Sequence, residues 1–169
     1  MIKNICRQFS SRLLRASDRT ADVRLDELNG HTFAIQNISV NKNLRPYRAR
    51  KHDGNPVILY VHHSWKCLTW HFSQAEDGNF RLINYCTGKT LDTKSLPYED
   101  VPLVQNSAVQ NAVIWEFTEV TRGIYTIGLV GTELYITASS DKTNSPITLS
   151  HFTNSSGQKW RLIRQKPWF

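Results

Sequence analysis

The sequence predicts an all-β domain of three four-stranded repeats, each about 45 residues long, set around a pseudo-threefold axis behind a short basic extension. Three observations carry this prediction. Trp70, Trp115 and Trp160 recur at intervals of 45 residues, and Phe72, Phe117 and Leu162 follow them by two positions. A matched apolar run precedes each Trp: PVIL at 56–59, VPLV at 101–104 and PITL at 146–149. Apolar and polar residues alternate where each repeat opens, at Phe33 and Ile35, Phe80 and Leu82, and Tyr125 and Ile127. That period of two is the signature of a half-buried strand.

The elements follow in order. Residues 1–29 are a basic extension. Ile2, Ile5, Phe9, Leu13 and Leu14 recur at helical spacing among Lys3, Arg7, Arg12, Arg15 and Arg19, so a short amphipathic helix is expected. Its Arg-rich, Ser-rich composition suits an organelle transit peptide, adhesion to a membrane surface, or packing on the chain's own domain. It lacks the apolar run of a secretory signal, so the expected location is cytoplasmic, or outside the cell without a classical signal peptide. Asn29-Gly30 is a turn signal and opens the domain, residues 30–169.

Repeat one, about 31–73, starts with the strand FAIQN at 33–37 and continues with NLRPY at 43–47. Repeat two, 74–118, starts with FRLIN at 80–84 and continues with TGKTLDT at 87–93. Repeat three, 119–163, starts with YTIGL at 125–129 and continues with GTELYIT at 131–137. Turn residues separate the runs, as at Asp53-Gly54-Asn55-Pro56, Asp77-Gly78-Asn79 and Asn144-Ser145-Pro146. One such unit cannot bury its apolar face alone; three packed together can, with the Trp column inward. Closing six strands into a barrel also removes exposed edges.

Composition narrows the function. Apolar residues make up 40% of the chain and charged residues 21%, enough for a packed core. No run of 18 apolar residues suggests a membrane helix. The net charge of +7 favours acidic partners without choosing among them. Cys6, Cys67 and Cys86 are odd in number and scattered, a poor disulfide framework and one without metal-ligand spacing. No nucleophile, metalloprotease, P-loop or dinucleotide motif is present. His62-His63 lacks partners at ligand spacing, so no enzyme activity, metal or cofactor is expected.

Trp160 closes the sequence Gln158-Lys159-Trp160. Threefold units of this length, each ending in Q-x-W or a degenerate form of it, resemble the ricin B-type β-trefoil lectins over about residues 31–164. The other two repeats read CLTW at 67–70 and AVIW at 112–115, so the Gln occurs once. The resemblance implies a β-trefoil fold and reversible binding of glycans or glycoconjugates at shallow sites on the repeats. It also implies the parts of each site: an Asp after the second strand's Leu, an aromatic platform about ten residues before the Trp, and an amide just before it. A carboxylate accepts hydrogen bonds from sugar hydroxyls, and an aromatic face covers the C–H side of the ring.

Mapped residue by residue, repeat one has Tyr60 at the platform but Arg45 at the Asp place, with Cys67 and Leu68 at the amide places. Repeat two has Asp92 after Leu91, Gln105 at the platform with Asn106 beside it, and Asn111 before the Trp. Asp92 equally suits a turn residue capping backbone N–H groups. Repeat three has Gln158, but Tyr135 at the Asp place and Ser150 at the platform, with His151, Phe152 and Asn154 nearby. No repeat holds the whole set; repeat two ranks first and repeat three second.

Repeat one is also the basic one. Residues 30–73 hold six Lys and Arg against Asp53 alone, a net +5, whereas residues 74–118 hold three against six acids, a net −3. Arg45, Arg48, Arg50 and Lys51 cluster in one loop with Tyr47 among them. Arg clusters pair with sulfate and phosphate through forked hydrogen bonds, so an acidic or sulfated polysaccharide is a second candidate partner. The incomplete sugar sets leave a third: another protein, as for a protease inhibitor or a toxin-delivery subunit.

Overall fold

A computed structural model describes residues 23–107 and 113–169. The expected helix at the N-terminus lies mostly within residues 1–22, outside the described residues, as does Asn111. The described residues form twelve strands and five single 3-10 turns. Repeat one supplies β1 (Thr32–Asn37), β2 (Lys42–Pro46), β3 (Asn55–Val61) and β4 (Trp70–Gln74). Repeat two supplies β5 (Phe80–Asn84), β6 (Thr90–Thr93), β7 (Leu103–Asn106) and β8 (Trp115–Thr121). Repeat three supplies β9 (Ile124–Leu129), β10 (Leu134–Thr137), β11 (Thr148–His151) and β12 (Trp160–Arg164).

The first and last strands of each repeat close a six-stranded barrel in the order β1, β4, β5, β8, β9, β12 and back to β1. Each repeat closes on itself at one equivalent pair: Phe33 opposite Trp70, Phe80 opposite Trp115, Tyr125 opposite Trp160. The hairpins β2–β3, β6–β7 and β10–β11 cap one end of the barrel. They are joined by β3–β7 pairing and by bridges from Ile58 to Pro146 and from Pro102 to Thr148.

The repeated positions build the core. Trp70, Trp115 and Trp160 are fully buried in one continuous cluster. Each indole N–H donates to the carbonyl of the second strand of its own repeat: Leu44 at 3.1 Å, Leu91 at 3.3 Å and Ile136 at 3.0 Å. Phe33, Phe72, Phe80, Phe117 and Tyr125 pack edge to face or tilted at centroid distances of 5.2–6.2 Å, the geometry that aromatic quadrupoles favour. Val23 and Leu28, before Gly30, join the same cluster, and the Tyr125 hydroxyl donates to the Val23 carbonyl.

The Q-x-W turn is a folding element here. Gln158 is fully buried; its Oε1 accepts from the Thr153 N–H at 2.8 Å and its Nε2 donates to the His151 carbonyl at 2.8 Å. Gly157 before it faces the Ala138 carbonyl so closely that a Cβ would stand 2.6 Å from that oxygen. Asn37 clamps the same turn from the neighbouring repeat through the carbonyls of Ser156, Gly157 and Lys159. Asn84 does the equivalent for repeat one through Cys67 and Thr69.

Candidate functional site

The three cap hairpins share one register, and it fixes which residues are equivalent. Leu44, Leu91 and Ile136, the acceptors of the Trp N–H bonds, stand opposite Leu59, Gln105 and Leu149. The next residues are therefore Arg45, Asp92 and Thr137, and their diagonal neighbours on the same face are Tyr60, Asn106 and Ser150. Two sequence assignments move. In repeat three the Asp place is Thr137, not Tyr135, because Tyr135 lies two positions earlier on the strand. In repeat two the platform place is Asn106, not Gln105, because the run to Trp115 is one residue shorter.

Each diagonal carries a different chemistry. In repeat two, Asp92 Oδ2 accepts from Asn106 Nδ2 at 2.8 Å and Oδ1 accepts from the Thr93 N–H at 2.7 Å. Asn106 Oδ1 accepts from the Gly54 N–H of repeat one at 2.9 Å. Both residues serve internal bonds, and no aromatic ring stands at this place. In repeat three, Thr137 and Ser150 hydroxyls lie 2.6 Å apart, and Gln158 Nε2 donates to both, at 3.2 and 3.0 Å. The His151 backbone N–H donates to the Glu99 carboxylate of repeat two at 3.0 Å, and its ring Nε2 stands 3.4 Å from the same oxygen. Asn154 is exposed with a left-handed φ of 55°, and Phe152 packs on Tyr135 at 5.6 Å.

In repeat one the diagonal is a stack. The Arg45 guanidinium lies 4.2 Å from the Tyr60 ring centroid and 5.7 Å from that of Trp65. His63 stacks on Trp65 at 4.1 Å, and Phe169 meets its edge at 6.1 Å. Burial pushes the Cys67 thiol beneath them above its ordinary value, with Arg45 opposing the shift. Beside this stack opens a cleft of about 340 Å³ lined by Arg45, Tyr47, Arg48, Tyr60 and Asn144. That volume sits at the lower end of the roughly 300–1,000 Å³ of small-ligand sites.

The basic loop that walls this cleft is held firmly. Asn55 Nδ2 donates to the carbonyls of Tyr47 and Arg50, and Gln105 Nε2 to those of Arg50 at 2.6 Å and His52 at 3.1 Å. Gln105 is fully buried, and its Oε1 accepts from the Thr87 hydroxyl at 2.8 Å. It is a strut between repeats and has no free surface. Asp53 bonds Lys89 at 2.7 Å and Ser107 at 2.9 Å, and these partners, Lys89 first, hold its carboxyl below the ordinary carboxylate value. These ties support Arg48 and Ala49 in left-handed conformations, φ 52° and 54°, which cost non-glycine residues energy. Arg48, Arg50 and Lys51 are exposed, and the guanidinium groups of Arg48 and Arg50 lie 5.2 and 6.0 Å from the Tyr47 ring centroid.

Asn144, Trp65 and His63 belong to the neighbourhood but were not identified as site residues from sequence. Asn144 reads as a turn residue, and Trp65 falls outside the 45-residue column. Among the described residues no cluster of three or more His, Cys, Asp or Glu is placed to hold a metal, and no helix is long and apolar enough to cross a membrane.

No family model and no curated protein matches the sequence. Solved structures do. The Rhizoctonia solani agglutinin superposes with a TM-score of 0.75 at 18% identity, covering 82% of this chain and 97% of its own. The Macrolepiota procera ricin B-like lectin, in complex with lactose, gives 0.71 at 20% identity over 80% and 96%. A designed threefold-symmetric protein, ThreeFoil, gives 0.74 at 20% identity over 78% and 97%. The chain has the ricin B-type β-trefoil fold, one that carbohydrate-binding proteins use.

Proposed function

We propose that the protein binds glycans reversibly, with no covalent step, and that its principal site is the cleft of repeat one. The observation that carries this reading is the unequal fate of three equivalent places. Repeats two and three spend their polar groups on internal hydrogen bonds. Repeat one joins partly exposed aromatic rings, Tyr47 and Tyr60, to polar side chains around a cleft. The lactose complex of the structurally similar lectin supports sugar as the ligand class. A shallow site of this kind binds weakly, so clustering of sites or of ligands raises the apparent affinity.

A glycan array followed by calorimetric titration tests the reading. A subset of glycans is expected to bind, and Tyr47→Ala is expected to weaken binding about tenfold, as for loss of a stacking and hydroxyl contact worth roughly 1–1.5 kcal/mol. Asp92→Ala should leave binding unchanged. Binding lost in Asp92→Ala but kept in Tyr47→Ala moves the site to repeat two, and silence across the array defeats the glycan reading.

One further observation favours a second reading. Arg48, Arg50 and Lys51 are exposed, and none is paired with a carboxylate among the described residues. A polyanion lying along this loop would meet all three, with affinity falling steeply as salt rises.

A further inference from the structure

We infer that the cleft of repeat one selects a sugar bearing one acidic group, a carboxylate or a sulfate ester, held by Arg45 and Arg48; this rests on the glycan reading above.

The hairpin register provides the first reason. Arg45 occupies the place that is Asp92 in repeat two and Thr137 in repeat three. An Asp accepts hydrogen bonds from hydroxyls, whereas a guanidinium only donates and fits planar anions with its fork. The swap therefore inverts the complementary ligand group.

The second reason is the state of the two guanidinium groups. Arg45 is partly buried against Tyr60 and Trp65, and its Nε is buried without a hydrogen-bond partner. Its guanidinium reaches the Cys67 sulfur, a weak acceptor, but that Nε has given up hydration without gaining one, a condition that needs compensation. Arg48 lines the same cleft, and among the described residues neither is paired with a carboxylate. Among the described residues no acid lines the cleft. An anion between the two charges relieves their repulsion and accepts from both.

The third reason is that the cleft is bounded. Asn144 reaches it from the turn before β11, fixed to β3 by bonds from the Asn144 N–H to the Leu59 carbonyl at 2.8 Å and from the Leu59 N–H to the Ser145 carbonyl at 2.9 Å. Its amide and the Tyr47 hydroxyl supply neutral partners for ring hydroxyls. Arg50 and Lys51, which a polymer track would use, do not line it.

The test titrates the full chain with glucose, glucuronic acid, glucose 6-sulfate and a heparin oligosaccharide, at low and high salt, in four forms: wild type, Arg45→Lys, Arg48→Ala and Lys51→Ala. Arg48 is exposed, so its removal does not threaten folding. At least one acidic monosaccharide is expected to bind about tenfold or more tighter than glucose, in keeping with charge-assisted bonds. That preference should shrink to near unity in Arg45→Lys and Arg48→Ala, persist in Lys51→Ala, and depend only mildly on salt. The two acids tell carboxylate from sulfate. Equal binding of glucose and both acids overturns the inference and leaves the glycan reading standing. Binding of heparin alone, steep in salt and weakened by Lys51→Ala, overturns it in favour of a polyanion track. No binding of any saccharide, here and on the array, sinks both.

Discussion

Gln105 looks like a ligand residue in the sequence because it is polar at a place where an aromatic is expected. Its register with Leu91 makes it the counterpart of Leu59 and Leu149, which are core residues. The clue was present in the alternation of Val101, Leu103 and Gln105, all fully buried on one face; polarity outweighed periodicity. Gln105→Leu restores the residue type of the other repeats but removes the donor to the His52 carbonyl and the acceptor of the Thr87 hydroxyl, and leaves the Arg50 carbonyl with Asn55 Nδ2 as its donor. The expected cost is about 1–3 kcal/mol, the usual penalty for buried groups left unpaired. Urea denaturation measures it, and amide exchange over residues 50–54 should quicken. A variant as stable as wild type would show that Gln105 is not a strut.

The loop between β2 and β3 was legible as basic but not as rigid. Its anchors, Gln105, Lys89 and Ser107, come from repeat two, and Asn144 opposite it comes from repeat three. Contacts so far apart in the chain leave no local pattern to read. Asp53 makes the docking pH-dependent. Because its folded carboxyl is held below the ordinary value, its contribution is present above the unfolded pKa and is lost as pH falls through the folded one. The Gly54 and Ser107 amide resonances should therefore keep their docked positions down into the ordinary carboxylate range and move only below it. Asp53→Asn should abolish that step, leaving the loop looser at neutral pH. Resonances that shift together well above the carboxylate range would contradict the assignment.

At the scale of the whole molecule the fold was legible because it is written three times. Trp70, Trp115 and Trp160, with Phe33, Phe80 and Tyr125 paired opposite them, set the barrel. The site was legible only in part because the repeats diverge there: Arg45, Asp92 and Thr137 share a place and no chemistry. This separation has an energetic consequence. The three indoles are equally buried, each bonded to a carbonyl of its own repeat, and all sit in one cluster. No repeat owns a private core, so damage in one is felt by all. Trp70→Ala, Trp115→Ala and Trp160→Ala should each cost roughly 3–5 kcal/mol, within about 1 kcal/mol of one another, with a single transition by fluorescence and by circular dichroism. Trp115→Phe should cost less than Trp115→Ala, since it keeps most of the ring and loses chiefly the bond to the Leu91 carbonyl. A variant whose altered repeat melts first, with the other two intact, would mean that the barrel is three separable units.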